Sequence, residues 1–273
     1  MGAPTKTDET APTRPRGARL SALMRRRLSA AAERTLRLLA PPLCPLTDAA
    51  VDEPHTISAR AWSRLRFVTP PFCARCAVPF PYDPGAGAVC GACAADPPAV
   101  GTTRAALAYE GEAIELVTSL KYRDRLELAP LMGRWMAAAG RDLISSGSIL
   151  APVPLHPRRL ADRRFNQAAL LAAAVARETG AGQAPTALQR LRATPPQQSQ
   201  VSADARRRNV QGAFSVRPGR EADLVGAHVI LIDDVYTTGA TLSACARAAR
   251  RAGAARVDAL VLARVAAGDG RAL

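Results

Sequence analysis

The chain has 273 residues, 48% of them hydrophobic, and a formal net charge of +14. That length and apolar content can bury a full core in one large domain or two smaller ones. The charge suits an anionic partner, whether nucleic acid, an acidic membrane surface or a phosphorylated small molecule. Aromatic residues make up only 4% and alanine supplies much of the apolar content, which disfavours an all-β fold; no run approaches the ~18 apolar residues of a membrane span.

In chain order, residues 1–19 are rich in Pro, Thr and charge, and are expected to form a disordered tail. Over 20–40, Leu20, Leu23, Met24, Leu28, Leu36 and Leu39 recur between arginines, which predicts an amphipathic helix stopped by Pro41 and Pro42. Arg25, Arg26 and Arg27 resemble the start of an export signal, but Glu33, Arg34 and Arg37 break up the apolar stretch such a signal needs next. A cytoplasmic location is therefore expected.

Residues 41–100 are rich in proline and form a predicted loop-rich module held by something other than a large core. Cys73 and Cys76 make one Cys-x-x-Cys pair, Cys90 and Cys93 another, with thirteen residues between the pairs. Four thiolates on two tight turns can surround a tetrahedral Zn²⁺ and leave no open position, so the expected role is structural. Redox chemistry and inert thiols are the alternatives. Cys245, on a predicted helix, is expected to be a small buried hydrophobe.

From residue 101 to 265 short apolar runs alternate with longer helical patterns. The runs are ALAYE, ILAPVPL, HVILIDD and VDALVLARV, and the helices pass through IELVTSL, LAPLMGRWMAAA, NQAALLAAAVARETG and TLSACARAARRAG. Strands separated by helices predict βαβ units and a parallel sheet. Residues 158–220 hold twelve arginines, no lysine and three acids, a bias compatible with pyrophosphate recognition or with a solvated surface. Residues 266–273 are read as a tail.

The stretch 229–242, VILIDDVYTTGATL, is the most informative in the chain. Its apolar run predicts a buried strand ending at the carboxyl edge of the sheet, where open α/β folds bind ligands. Asp233 and Asp234 follow, and Thr237, Thr238, Gly239, Ala240 and Thr241 lead into a helix whose first amides could hold a phosphate. Carboxylates accept hydrogen bonds from vicinal hydroxyls, so a sugar phosphate accounts for both halves. The Walker order G-x-x-x-x-G-K-[ST] is absent; a metal-binding acid pair and two helix-capping aspartates are the competing readings.

LIDDVYTTGATL resembles the phosphoribosyl pyrophosphate signature of type I phosphoribosyltransferases. The stretches SLKYRDRLELAPLMGRWM, PVPLHPRRLADRRFNQAALLA, LQRLRATPPQQ and RRRNVQGAF are similar to the ComF family in particular, over roughly 41–265. The resemblance implies an α/β type I phosphoribosyltransferase fold behind a small N-terminal zinc-ribbon module. It implies phosphoribosyl pyrophosphate and Mg²⁺ as ligands, Asp234 and Asp233 as candidate catalytic groups, and pentosyl transfer to an unidentified acceptor or ligand sensing without turnover. His156, Arg159 and Arg164 would face the pyrophosphate, and 194–209 would supply a lid or further contacts. Arg164 stands where such proteins usually have glycine. Competence and DNA uptake are the implied setting, with a competence helicase or single-stranded DNA as implied partners. The family also implies a first ribbon before the second; here Cys44-Pro-Leu-Thr47 and Ser58-Ala-Arg-Ala61 stand in its place, so a single zinc is expected, with Cys44 a free thiol and Trp62, Leu65 and Phe67 packing the emptied ribbon.

Overall fold

The computed structural model describes residues 41–122, 125–192 and 212–266. The expectations for 1–19, 20–40 and 194–209, and for nearly all of 266–273, lie outside the described residues.

Five parallel strands build the main sheet: β1 (Thr103–Ala108), β2 (Ser148–Pro152), β3 (Gly182–Gln183), β6 (His228–Tyr236) and β7 (Arg256–Arg264), in the order β1-β7-β6-β2-β3. Helices connect them, namely α3 (Glu112–Tyr122), α4 (Ala129–Ala139), α5 (Pro157–Arg163), α6 (Gln167–Thr179) and α7 (Ala240–Arg251). Strands β4 (Leu188–Arg190) and β5 (Phe214–Val216) pair antiparallel beside the sheet. Neither α5 nor these two strands is expected from the sequence: each is too short to show a period.

Both faces of the sheet are covered. Along β6, Val229 and Leu231 face α7 and the β4–β5 pair, while Ile230 and Ile232 face α3, α4 and α6, the alternation that a pleated strand imposes. Helices α4 and α6 approach closely at Gly133, where a Cβ would stand 2.4 Å from that of Ala174.

The topology sets where a ligand can enter. From β6 the chain crosses through α7 to β7, on one side; from β2 it crosses through α6 to β3, on the other. The loops leaving the carboxyl ends of β2 and β6 therefore diverge and open a crevice at the switch point.

The N-terminal module, with short helices α1 (Ala59–Trp62) and α2 (Gly91–Ala95), leans on β1. The Val68 amide donates to Ala106 O at 2.9 Å and the Ala108 amide to Arg66 O at 2.8 Å, so residues 66–68 cover the edge that β1 would otherwise expose. No helix among the described residues is long and apolar enough to cross a membrane.

Candidate functional site

Asp233 and Asp234 lie at the crevice, near the end of β6, with Asp233 opposite Val261 of β7. The Asp234 amide donates to Asp233 Oδ1 at 2.9 Å, and the Lys121 ammonium, from the end of α3, meets Asp234 Oδ2 at 3.0 Å. Burial pushes the Asp233 carboxyl up to about 7, the neighbouring Asp234 charge adds to this, and Lys121 and Arg190 oppose it. For Lys121, burial pulls the ammonium down, but Asp234, joined by Asp233 and Tyr109, outweighs it and the net shift is upward. Tyr109 shares this electrostatic neighbourhood, its phenol raised by burial. Arg190, on β4, is pulled down by burial and by the nearby Arg159 charge, against Asp233, and it is one of the charges that oppose the rise at Asp233.

The loop after β6 turns at Gly239, whose φ of +73° only glycine adopts cheaply. A Cβ there would stand 2.2 Å from the Tyr236 hydroxyl. Gly239 is the N-cap of α7, and its carbonyl accepts from the Ser243 amide at 2.8 Å. Thr237 is exposed and Thr238 and Thr241 are partly so, while Gly239 and Ala240 are buried. First-turn amides and threonine hydroxyls thus gather at one helix start beside two carboxylates.

Across the crevice the Val153 amide donates to Ile232 O at 2.9 Å, tying the loop after β2 to β6. His156 is the N-cap of α5, its Nδ1 accepting from the Arg158 amide at 3.2 Å; that bond puts the ring proton on Nε2, the nitrogen left for a ligand. Arg164 ends α5 with a φ of 62° and an exposed side chain, so the turn keeps the left-handed geometry that favours glycine. Asn166 closes it, donating from Nδ2 to Val153 O at 3.0 Å and accepting the Ala168 amide at the start of α6.

Lys121, Tyr109 and Arg190 carry no role that the sequence alone assigns. Lys121 lies in a family-like stretch, SLKYRD, but its meeting with Asp234 spans 113 positions and has no local signature. Arg264 is a further such residue, and its signal was legible: a charge closing the apolar run 259–263.

At the opposite edge of the sheet stands a Ser–His–Asp string. Ser148 Oγ is 3.3 Å from His228 Nδ1, and His228 Nε2 is 2.8 Å from Asp258 Oδ2. Ser148 is 0% exposed, and Asp258 also pairs with Arg256 and accepts the Thr102 amide. A hydroxyl sealed from solvent cannot attack a substrate; the string fastens the starts of β2, β6 and β7 together.

The cysteine module presents a metal-ligating set. The sulfurs of Cys73, Cys76, Cys90 and Cys93 all lie within 4.8 Å of one another. Those of Cys76 and Cys90 are 3.7 Å apart, close to the ~3.8 Å edge of a tetrahedron with metal–sulfur bonds of about 2.3 Å. The Cys90 amide donates to Cys73 Sγ at 3.2 Å; against its burial, such backbone donors bring the Cys73 thiol down to about 7. Burial and mutual repulsion push the Cys93 thiol well up. Four sulfurs crowded this closely make a set that suits a bound cation.

The first lobe repeats this geometry position by position. In the second, the Cys73 amide donates to Val78 O, the Ala77 amide to Cys73 O, and Ala77 has a φ of 56°. In the first, the Cys44 amide donates to Ala49 O, the Asp48 amide to Cys44 O, and Asp48 has a φ of 52°. Ser58 opens α1 with φ −63° and ψ 155°, as Cys90 opens α2 with −71° and 157°. Thr47, Ser58 and Ala61 thus occupy the positions of Cys76, Cys90 and Cys93. Hydrogen bonds replace coordination: Thr47 Oγ1 and Ser58 Oγ are 2.9 Å apart, and, against burial, contacts with Ser58 and Thr47 bring the free, fully buried Cys44 thiol to about 7. Trp62 stacks on Phe67 at 4.5 Å between centroids, and Trp135 meets both edge-on. Leu65 is buried in the cluster that this trio borders.

Comparison with known proteins agrees with this layout. The double zinc ribbon domain family matches residues 35–94, and the phosphoribosyl transferase domain family matches 167–272. The DNA utilization protein YhgH of Salmonella typhimurium is 32% identical over 198 residues, covering 70% of this chain and 83% of that protein. Its counterpart in Escherichia coli O157:H7 is 30% identical over 232 residues, 83% of this chain and 99% of that one. Competence protein F of Haemophilus influenzae is 29% identical over 154 residues, 55% and 66% of the two chains. A solved structure of the allosteric regulatory enzyme of purine biosynthesis aligns with 53% of this chain and 30% of its own, at 19% identity and a TM-score of 0.34. The chain belongs to the family of the DNA utilization protein YhgH and competence protein F, in which a double zinc ribbon precedes a phosphoribosyltransferase domain.

Proposed function

We propose that the chain binds phosphoribosyl pyrophosphate with Mg²⁺ in the crevice between β2 and β6 and transfers the phosphoribosyl group to an acceptor. The observation that carries this is the pairing, at one switch point, of Asp233 and Asp234 with the Gly239 helix start. Ribose hydroxyls fit the carboxylates, and the 5′-phosphate fits the amides of 239–241 with the threonine hydroxyls. The Lys121 ammonium against Asp234, and the Arg190 charge near Asp233, support a polyanionic ligand over a charge pattern spread along the ribbon. His156 and Arg164, on the loop after β2, would meet the departing pyrophosphate.

Two adjacent carboxylates at the ribose position, only Asp234 of them in contact with Lys121, suit a hard cation's oxygen preference. Mg²⁺, with Asp233 and Asp234 as the residues that would hold it, would supply neutralisation of the pyrophosphate charge. The chain's own task is to orient the sugar and stabilise charge as the bond from C1 to pyrophosphate breaks. Asp234 is the nominated catalytic group, with Asp233 beside it. One structural zinc would sit on Cys73, Cys76, Cys90 and Cys93. The relatives' names, which speak of DNA utilization and competence, support a role connected with DNA, and DNA uptake and a cytoplasmic location are part of the same proposal.

Calorimetry with phosphoribosyl pyrophosphate and Mg²⁺, on the wild type and on the Asp233→Asn/Asp234→Asn variant, tests the proposal, followed by a pyrophosphate-release assay with candidate acceptors. Binding that the double variant loses supports it. An absence of binding at about 1 mM ligand removes it, and binding with no turnover across acceptors reassigns the chain as a sensor.

A further inference from the structure

Arg264 closes β7, is 7% exposed, and belongs to neither the crevice nor the cysteine set. Its guanidinium touches both. Nε donates to Cys76 O at 2.9 Å, and Nη2 lies 3.6 Å from Cys76 Sγ. Nη1 donates to Thr237 O at 3.2 Å, to Tyr236 O at 3.4 Å and to Val265 O. The same group lies over the Tyr236 ring, 4.4 Å from its centroid, and the Tyr236 hydroxyl is the atom against which Gly239 is packed. One side chain therefore holds the carbonyls of the loop that opens the helix start and the backbone of a cysteine in the four-sulfur cluster.

Arginine stays charged when buried, so it needs anionic or strongly dipolar partners. Among the described residues no carboxylate forms an ion pair with Arg264. Its partners are main-chain carbonyls and the Cys76 sulfur. A planar fork with donors on several sides can serve both at once, whereas a lysine ammonium of similar length is a single point.

We infer that Arg264 is a positioning residue that couples the metal-loaded second ribbon to the 237–239 loop, so that a fixed Cys76 holds that loop in its ligand-ready shape. Zinc at Cys73, Cys76, Cys90 and Cys93 immobilises Cys76; Cys76 immobilises Arg264; and Arg264 fixes the carbonyls of Tyr236 and Thr237, which sets the entry into Gly239. The ribbon is thereby part of the ligand site's scaffold. This rests on the reading of the crevice as a phosphoribosyl site, but the mechanical link itself can be measured without that ligand.

The test uses the full chain, loaded with zinc, as wild type and as Arg264→Lys, each with and without a zinc-selective chelator. Amide hydrogen exchange is followed at Ser243 and Val265, whose amides donate to Gly239 O and Tyr236 O of the loop, with 229–232 as internal reference and bound zinc measured in parallel. In the wild type, chelation speeds exchange at these two amides by about tenfold or more and leaves 229–232 protected. Arg264→Lys retains one zinc per chain yet already exchanges fast at both, and chelation adds less than about twofold, the non-additivity expected of two parts of one linkage. The inference is overturned if chelated wild type keeps its loop protection, if 229–232 loosens equally, or if zinc-loaded Arg264→Lys matches the wild type. Should the lysine variant not fold, Arg264→Gln replaces it, and the chelated wild type decides by itself. Binding of ribose 5-phosphate without Mg²⁺ is measured alongside: weakening that follows loop exchange extends the link to affinity. No binding in any form sinks the phosphoribosyl reading while the exchange data still judge Arg264.

Discussion

The Lys121 ammonium, at the end of α3, sits 3.0 Å from Asp234 Oδ2 at the crevice end of β6. The pair is mostly shielded from solvent, with side-chain exposures of 20% and 15%, and it lies beside a second carboxylate. Lys121→Met removes the cation and leaves two neighbouring acids to repel. Unfolding titrations are expected to show a loss of about 1–3 kcal/mol, and calorimetry a weaker affinity for phosphoribosyl pyrophosphate.

Asp233 gives the chain a pH dependence of definite sign. Its folded-state pKa is raised from the ordinary 3.8 to about 7, so its contribution to stability is full below about pH 4 and is lost as pH rises through 7. Asp233→Asn flattens that fall. At pH 8 it is expected to be more stable than the wild type by on the order of 1 kcal/mol or more, even as it loses ligand, and thermal melts from pH 4 to pH 8 read the difference.

Gly239 is closed to any side chain by two independent facts, its φ of +73° and the Tyr236 hydroxyl 2.2 Å from where a Cβ would stand. Gly239→Ala must move the tyrosine or the turn, at a cost of about 2 kcal/mol or more. Ligand binding should fall far more than the melting temperature, because the displaced amides are those proposed to hold the phosphate.

Arg164 adopts the left-handed conformation, at a φ of 62°, without being glycine. Arg164→Gly relieves strain of about 1 kcal/mol, and a rise in melting temperature is the expected result. If the guanidinium also meets pyrophosphate, the same variant binds phosphoribosyl pyrophosphate less tightly while leaving ribose 5-phosphate affinity unchanged.

The first ribbon retains the backbone of a metal site with one of its four thiols, Cys44. Metal analysis of the wild type should give one zinc per chain. Thr47→Cys/Ser58→Cys/Ala61→Cys places thiols opposite Cys44 at the positions that Cys76, Cys90 and Cys93 hold in the second lobe, and should raise the content to two. Two ions in the wild type would show that the first lobe still binds.

The architecture of alternating strands and helices was legible because it is written in local periods: HVILIDD and VDALVLARV are apolar for most of their length because both faces of β6 and β7 are covered. The cysteine pairs and the acid–glycine turn were legible too, since each packs its chemistry within a few residues. The strands β4 and β5 left no trace because three residues show no period. Lys121 with Asp234, and Arg264 with Cys76 and Thr237, meet only because α3, β6, β7 and the ribbon converge, across separations of up to 188 positions. The sequence by itself determined the fold class, the four clustered cysteines and the acid–glycine turn, for these depend on neighbours along the chain. Which cation offsets the acids, how the emptied ribbon keeps its shape, and what ties the ribbon to the loop were decided by tertiary structure, because a buried charge takes its partners from whatever the fold brings within a few ångströms.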